Sequence, residues 1–462
     1  MRVLSLAIPA ALLSLAFAAP LAAQTVPTDA AQMRLSFAPV VRKVSPAVVN
    51  VYSRRLVRQT IDPFFQMFGN GMGLSRERIA QSLGSGVIVR PDGVIVTNNH
   101  VIEGGQDIMV VLGDRREFPA KVLLADPRAD IAVLKIDAGP APLPTLQLAS
   151  GDRAQVGDLV LAIGDPFGVG QTVTNGIVSA LARSNVGVTD VSYFIQTDAA
   201  INPGNSGGAL VDMNGDMIGM NTAILSQSGT SSGVGFAIPA ALVRHVVDQA
   251  LGGTTTARQW LGLKTQAVTA QIARSMGMDR PQGVLVTDVW PGGPADRAGL
   301  KSGDLVLAID GAPVDDDSSL NYRVATANAG EDLSLTVRKD KGAEETARLR
   351  LAPLPSEPAK DEQTIAGRNP FDGATVANLS PAVADQLGLD PFAGAHGVMV
   401  TRIAGGLAAN IGLQPGDLIR QVNGRAPTTV GELKTLLAAD PGGVWSVVIQ
   451  RGSQTITAQF RI

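Results

Sequence analysis

The chain of 462 residues has no cysteine, only three histidines, and aromatic side chains at 4%. Without cysteine there is no disulfide, no thiolate nucleophile and no cysteine-held metal. His100, His245 and His396 are too few for a multi-histidine metal centre, so no metal or cofactor is expected. Excess charge of one sign is lacking as well. The 38 Lys and Arg face 41 Asp and Glu, net −3, with no basic stripe, which argues against a nucleic-acid partner. No phosphate-cradling G-x-x-x-x-G-K-[ST] loop occurs, so the chemistry is expected to be ATP-independent. Long apolar runs are missing apart from Val3 to Phe17, which is short for a membrane span and broken by Pro9. With Arg2 ahead of it, and Ala16-Phe-Ala18 and Leu21-Ala-Ala23 behind, residues 1–23 read as a secretory signal peptide. The mature protein is therefore expected to be exported, to the periplasm in a Gram-negative host, with no membrane span after cleavage.

Glycine is plentiful, at 51 residues. Scarce aromatics with many glycines favour β-rich, loop-rich domains, and the length suggests about three of them. The densest chemistry lies in Asp198-Ala-Ala-Ile-Asn-Pro-Gly-Asn-Ser206-Gly-Gly-Ala-Leu210. Gly204, Gly207 and Gly208 permit torsions closed to other residues. They can lift the Ser206 hydroxyl out and aim backbone N–H groups at one point, as a nucleophile beside an oxyanion hole requires. Gly204-Asn-Ser206-Gly-Gly208 also fits the G-x-S-x-G elbow of α/β-hydrolases. That elbow opens a helix and has its histidine downstream. Here a strand, an Asn214-Gly215 turn and a second strand follow, and the useful histidine lies upstream, so the elbow reading fails.

Upstream, Gly84 to Thr97 reads as a hairpin about Pro91-Asp92-Gly93 that delivers Asn98-Asn99-His100 to a strand end. Asp126-Pro-Arg-Ala-Asp130 precedes another strand. Two strand-rich blocks suggest two barrels, one carrying His100 and Asp130, the other Ser206. A helix over Pro239 to Leu251 closes the second, and a short helix is expected over Met33 to Arg42. Beyond a linker at 252–257 the chain repeats. Ala298-Gly-Leu-Lys-Ser-Gly-Asp-Leu-Val-Leu-Ala-Ile-Asp-Gly311 is echoed by Ile411-Gly-Leu-Gln-Pro-Gly-Asp-Leu-Ile-Arg-Gln-Val-Asn-Gly424. This is a duplicated domain, its copies joined by a polar linker over Ala352 to Arg368. A long loop, Ser53 to Gln81, carries Phe64, Phe65, Met67 and Phe68, which either tuck back onto the domain or contact another subunit.

With these residues in hand the chain resembles the HtrA (high-temperature-requirement, or Do) family of exported serine proteases, two-PDZ bacterial type. The resemblance rests on Thr97-Asn-Asn-His100-Val-Ile, Ala129-Asp130-Ile-Ala-Val-Leu-Lys, Gly164-Asp-Pro-Phe-Gly168 and Gly204-Asn-Ser206-Gly-Gly. Family members usually show Asn where Asp165 stands, and no loss of the active-site fold is expected from that. The resemblance implies a mostly β chain: a chymotrypsin-like double β-barrel protease domain at 33–251, then PDZ domains at 258–352 and 369–462. It further implies a catalytic triad of Ser206, His100 and Asp130, with Asp126 and Asp198 as alternative orienting acids. The N–H groups of Gly204 and Ser206 would form the oxyanion hole. His245 and His396 are expected to have no catalytic role. A substrate pocket is expected from Ala200, Ile201, Ile218 and Ile224, suited to small aliphatic residues. Leu261, Gly262 and Leu263 would bind C-terminal peptides in the first PDZ domain. The matching stretch of the second is Phe371-Asp-Gly373-Ala374, where Asp372 would repel a carboxylate. The implied partners are unfolded polypeptides, and the implied assembly is a homotrimer able to form larger oligomers. The leading function is degradation of misfolded exported proteins. The alternative is a chaperone or scaffold that holds them, with proteolysis secondary.

Overall fold

The computed structural model describes residues 36–58, 77–151, 153–166, 170–183, 193–202, 204–224, 233–252, 258–339, 342–392, 397–439 and 443–461. The signal peptide, Phe64, Phe65, Met67, Phe68 and His396 lie outside the described residues, as does the start of the expected first helix. That helix is observed as α1, Ala38–Val44.

The first block forms a seven-stranded sheet. Its strands are β1 (Val48–Arg58), β2 (Glu77–Arg90), β3 (Val94–Thr97), β4 (Asp107–Val111), β5 (Glu117–Pro119), β6 (Lys121–Asp126) and β7 (Ile131–Lys135), in the order β5-β4-β1-β2-β3-β7-β6. The β2–β3 turn needs its glycine. Gly93 has φ +92°, and a Cβ there would lie 2.6 Å from the Ile136 carbonyl oxygen. The second block closes into a barrel. Here β8 (Leu159–Gly164), β9 (Thr172–Arg183), β10 (Phe194–Thr197), β11 (Ala209–Val211), β12 (Met217–Ile224) and β13 (Gly235–Pro239) run in the order β10-β13-β12-β11-β8-β9. The β11–β12 hairpin turns at Asn214-Gly215, with Gly215 at φ +76°. Two helices are added here: α2 (Asn99–Ile102), after β3, and α3 (Ala240–Gly252), after β13. Leu242, Val243, Val246 and Val247 of α3 join a core with Val87, Val96, Val133, Leu161, Ile163 and Ala209, and so seal the two sheets together. Their spacing is that of one helical face.

Each repeat follows as a separate sheet with its own core. The first repeat docks on the protease block through helix Asp317–Thr326. Tyr322 is fully buried, joins the protease core, and stacks on Tyr193 with ring centroids 4.0 Å apart. Asp385 of the second repeat pairs with Arg128, at 2.5 Å, and with Arg258, at 2.7 Å. Residues of both repeats therefore touch segments that run directly into the candidate site. Among the described residues no helix is long and apolar enough to cross a membrane.

Candidate active site

Strands β3 and β7 are paired, with Thr97 opposite Ala132. His100 follows the end of one and Asp130 precedes the start of the other, so the pairing itself brings them together. His100 Nδ1 lies 2.8 Å from Asp130 Oδ2 and 3.0 Å from Oδ1. The His100 backbone N–H donates to Oδ1 at 3.0 Å, and the Thr222 hydroxyl donates to Oδ2 at 2.7 Å. An ionised carboxylate only accepts, so the imidazole proton sits on Nδ1 and Nε2 is left free to take one. The Asp130 side chain is 7% exposed and that of His100 47%, so the carboxylate is enclosed while the imidazole meets solvent. Asp130 has φ +54°. Aspartate tolerates that left-handed conformation better than most residues. The Asn98 side-chain amide and the Asn99 N–H hold it there by donating to its carbonyl, at 2.9 and 3.2 Å.

The alternative acids are engaged elsewhere. Asp126 accepts from the N–H groups of Arg128 and Ala129, and Asp198 from that of Ile177. His245 is half-buried on α3, where Gln249 contacts its Nε2, and burial lowers its pKa.

Ser206 arrives from the barrel of the second block. Its hydroxyl donates to the Thr222 carbonyl at 2.9 Å. Thr222 therefore touches both Ser206 and Asp130, and no motif marked it in advance. Ser85 was also unforeseen, although it stands in the Gly84-Ser85-Gly86 stretch that opens the hairpin. It is fully buried and ties the first sheet to the loop that carries Ser206. Its N–H donates to the Ser206 carbonyl at 2.8 Å, and its hydroxyl donates to the Gly204 carbonyl at 2.6 Å while accepting from the Asp165 N–H at 2.8 Å. The neighbouring N–H groups of Asn205, Gly207 and Gly208 are bonded to backbone carbonyls. Among the described residues, those of Gly204 and Ser206 make no such bond.

Asp165 keeps this arrangement, at an electrostatic cost. It is 6% exposed, and its Oδ1 has no partner among the described residues. Burial raises its pKa, and the Gly170 N–H opposes this. A raised folded-state pKa penalises the fold once the group ionises. The penalty is fully present above that pKa and fades as pH falls toward the unfolded value near 3.8. Asp165→Asn is therefore expected to raise the melting temperature by a few degrees at pH 7.5, on the order of 1 kcal/mol. The gain should shrink toward pH 4. Melts of the pair at both pH values check this, and a pH-independent difference would exclude the ionised carboxylate as its cause.

Ile201 and Ile218 are 1% and 7% exposed and belong to the core of the second barrel with Ala199, Ile195 and Ala237. Ala199 and Ile201 both pack into that core. Ala200, between them, is half-buried, its carbonyl accepting from the Thr174 hydroxyl at 2.8 Å. The Ile224 side chain lies outside the described residues.

In the first repeat, Gly262 has φ +72°, and its carbonyl accepts from the Trp290 N–H at 2.9 Å, while that of Leu261 accepts from the Ala295 N–H at 2.9 Å. Leu261 is buried and Leu263 packs against the same core. The strand that Leu263 begins, Leu263–Ala267, lies at the edge of its sheet.

Residues 84–220 match the trypsin-like peptidase domain, and residues 260–351 and 399–451 each match a PDZ domain. The periplasmic serine endoprotease DegP of Escherichia coli K12 is 38% identical over 99% of both chains. The periplasmic pH-dependent serine endoprotease DegQ of the same strain is 37% identical over 92% of this chain and 91% of its own. A solved structure of the HtrA-type protease AlgW with a decapeptide is 42% identical, with a TM-score of 0.53, covering 70% of this chain and 99% of that one.

Proposed function

The chain belongs to the HtrA (Do) family of periplasmic serine endoproteases, and on that premise we propose that Ser206, His100 and Asp130 are its catalytic triad and that it degrades unfolded periplasmic proteins. The observation that carries the assignment is the doubly bonded His100–Asp130 pair, linked through Thr222 to a serine held on a glycine loop. The Ser206 hydroxyl turns from the Thr222 carbonyl toward Nε2, gives up its proton and attacks the peptide carbonyl carbon. The carbonyl oxygen takes the negative charge and receives the N–H groups of Gly204 and Ser206. His100 then protonates the amine as the C–N bond breaks, and a water repeats the sequence to release the acyl group. Asp130 stays ionised and stabilises the imidazolium.

Ala200 stands at the pocket base, where no acid is available to pair with a buried Lys or Arg. Cleavage is expected after Val, Ala and Ile. Leu261, Gly262 and Leu263 supply a free sheet edge and a glycine loop for a substrate's C-terminal residues. Tyr322 and Tyr193 join that repeat to the segment leading into Ser206. The test is digestion of unfolded casein by the mature protein, with peptide sequencing. Cuts mainly after basic residues would overturn the pocket. Casein kept soluble but uncut would replace degradation by holding as the function.

A further inference from the structure

The two repeats differ at the place where a PDZ domain takes its ligand. In the first, strand Leu263–Ala267 ends the sheet, with no further strand beyond it among the described residues. In the second, the equivalent strand Ala374–Asn378 carries one more, Gln363–Thr364, from the segment expected to be a polar linker. The sheet of the second repeat thus begins before residue 369. The added strand runs antiparallel, with Gln363 opposite Val376 and Thr364 opposite Thr375. The Ile365 N–H donates to the Ala374 carbonyl at 2.8 Å, and the Gly373 N–H donates to the Ile365 carbonyl at 2.9 Å. Further back, the Asn378 N–H donates to the Lys360 carbonyl at 2.8 Å. The Ile365 side chain is 4% exposed and packs into the core that holds Val430 and Leu433 of helix Val430–Ala438. Lys434 of that helix reaches across to the Gln363 side-chain oxygen at 2.8 Å.

An extended peptide that augments a PDZ sheet gains backbone bonds from the edge strand, a pocket for its last apolar side chain, and N–H groups of the glycine loop for its terminal oxygen. The segment has each of these. Gly373, at φ +83°, matches Gly262, at φ +72°, in conformation. The Gly373 N–H is bonded to Ile365, whereas among the described residues the Gly262 N–H has no backbone partner. Asp372, beside the loop, accepts from the Gly367 N–H at 3.1 Å. A free carboxylate in the place of the Ile365 carbonyl would meet that like charge, whereas an uncharged carbonyl does not.

We propose that the peptide groove of the second PDZ domain is a ligand site filled in cis by residues 360–365, with Ile365 in the place of the ligand's last side chain, so that the chain takes external peptide ends at the first repeat alone. The closed second groove stands independently of the peptide role proposed for the first. Covering an otherwise open sheet edge also removes a template for unwanted strand pairing. The groove suits an apolar residue followed by an uncharged carbonyl, which an amidated peptide mimics.

The experiment counts binding sites by calorimetry on the full-length Ser206→Ala chain, which does not cleave its ligand. The probes are a decapeptide ending in Val-Ile with a free carboxylate, and its amide. One acid peptide per chain is expected, and none after Gly262→Val. Two sites, or one that survives Gly262→Val, would overturn the proposal. No binding to the parent at all would sink the first-repeat reading and leave the closed second groove standing. Adding Gln363→Pro and Ile365→Ser to the Gly262→Val chain should open the second groove to the amidated peptide. A variant that melts like its parent yet binds no amide would also overturn the proposal. If that variant does not fold, the site counts on the other chains decide.

Discussion

Ser206→Ala and His100→Ala are each expected to lower the rate of casein cleavage by about four to six orders of magnitude, with the melting temperature nearly unchanged. The loss is large because the two groups act on one proton. Without the imidazole the hydroxyl keeps its proton, and without the hydroxyl the imidazole has none to take. The double variant should then be hardly slower than either single one, since each already removes the same step. Stability is spared because the Ser206 hydroxyl makes one hydrogen bond, to the Thr222 carbonyl, worth about 1 kcal/mol. Asp130→Asn should also cost several orders of magnitude, because the amide favours the wrong imidazole tautomer. Initial rates on casein, with contaminating protease excluded, check all four variants. Turnover near the parent's in either single variant would remove that residue from the triad.

Gly207→Ala is expected to damage the fold itself. Gly207 has φ +83°, where an L-residue is disfavoured by about 1 kcal/mol or more. The added Cβ would stand 2.1 Å from the Ser85 carbonyl oxygen and 2.5 Å from Thr97 Oγ1. Neither can retreat freely. The Thr97 hydroxyl donates to that same carbonyl at 2.7 Å, and Ser85 is bonded to both Gly204 and Ser206. Making room means breaking the links that hold the Ser206 loop of the barrel against the first sheet. A loss on the order of 3–5 kcal/mol follows, together with loss of labelling by a serine-directed phosphonate. Gly113→Ala is the control, because nothing lies within 4 Å of a Cβ there. Equal denaturation midpoints and equal labelling for Gly207→Ala and its parent would mean that the loop has some other conformation.

Local chemistry was legible in the sequence because its signals are local. Gly93 and Asn214-Gly215 marked hairpins that formed, since a turn is decided by a few adjacent torsions. The periodicity of Leu242, Val243, Val246 and Val247 marked the closing helix, and the echoed Gly-Asp-Leu stretches marked the duplication. His100, Asp130 and Ser206 could be picked out because few residue types do this chemistry and glycines framed the serine. Tertiary structure alone decided what depends on two distant segments meeting. Ser85 and Thr222 are ordinary hydroxyl residues until the barrels pack and aim them at Gly204 and Asp130. Ile201 and Ile218 showed only apolar character in the sequence, and it was the closure of the barrel around Ile195, Ala199 and Ala237 that drew them into one core. Ile365 looked like part of a linker, because composition reports an apolar residue without saying which surface will cover it. The edge strand Ala374–Asn378, with its unpaired N–H and carbonyl groups, made that choice.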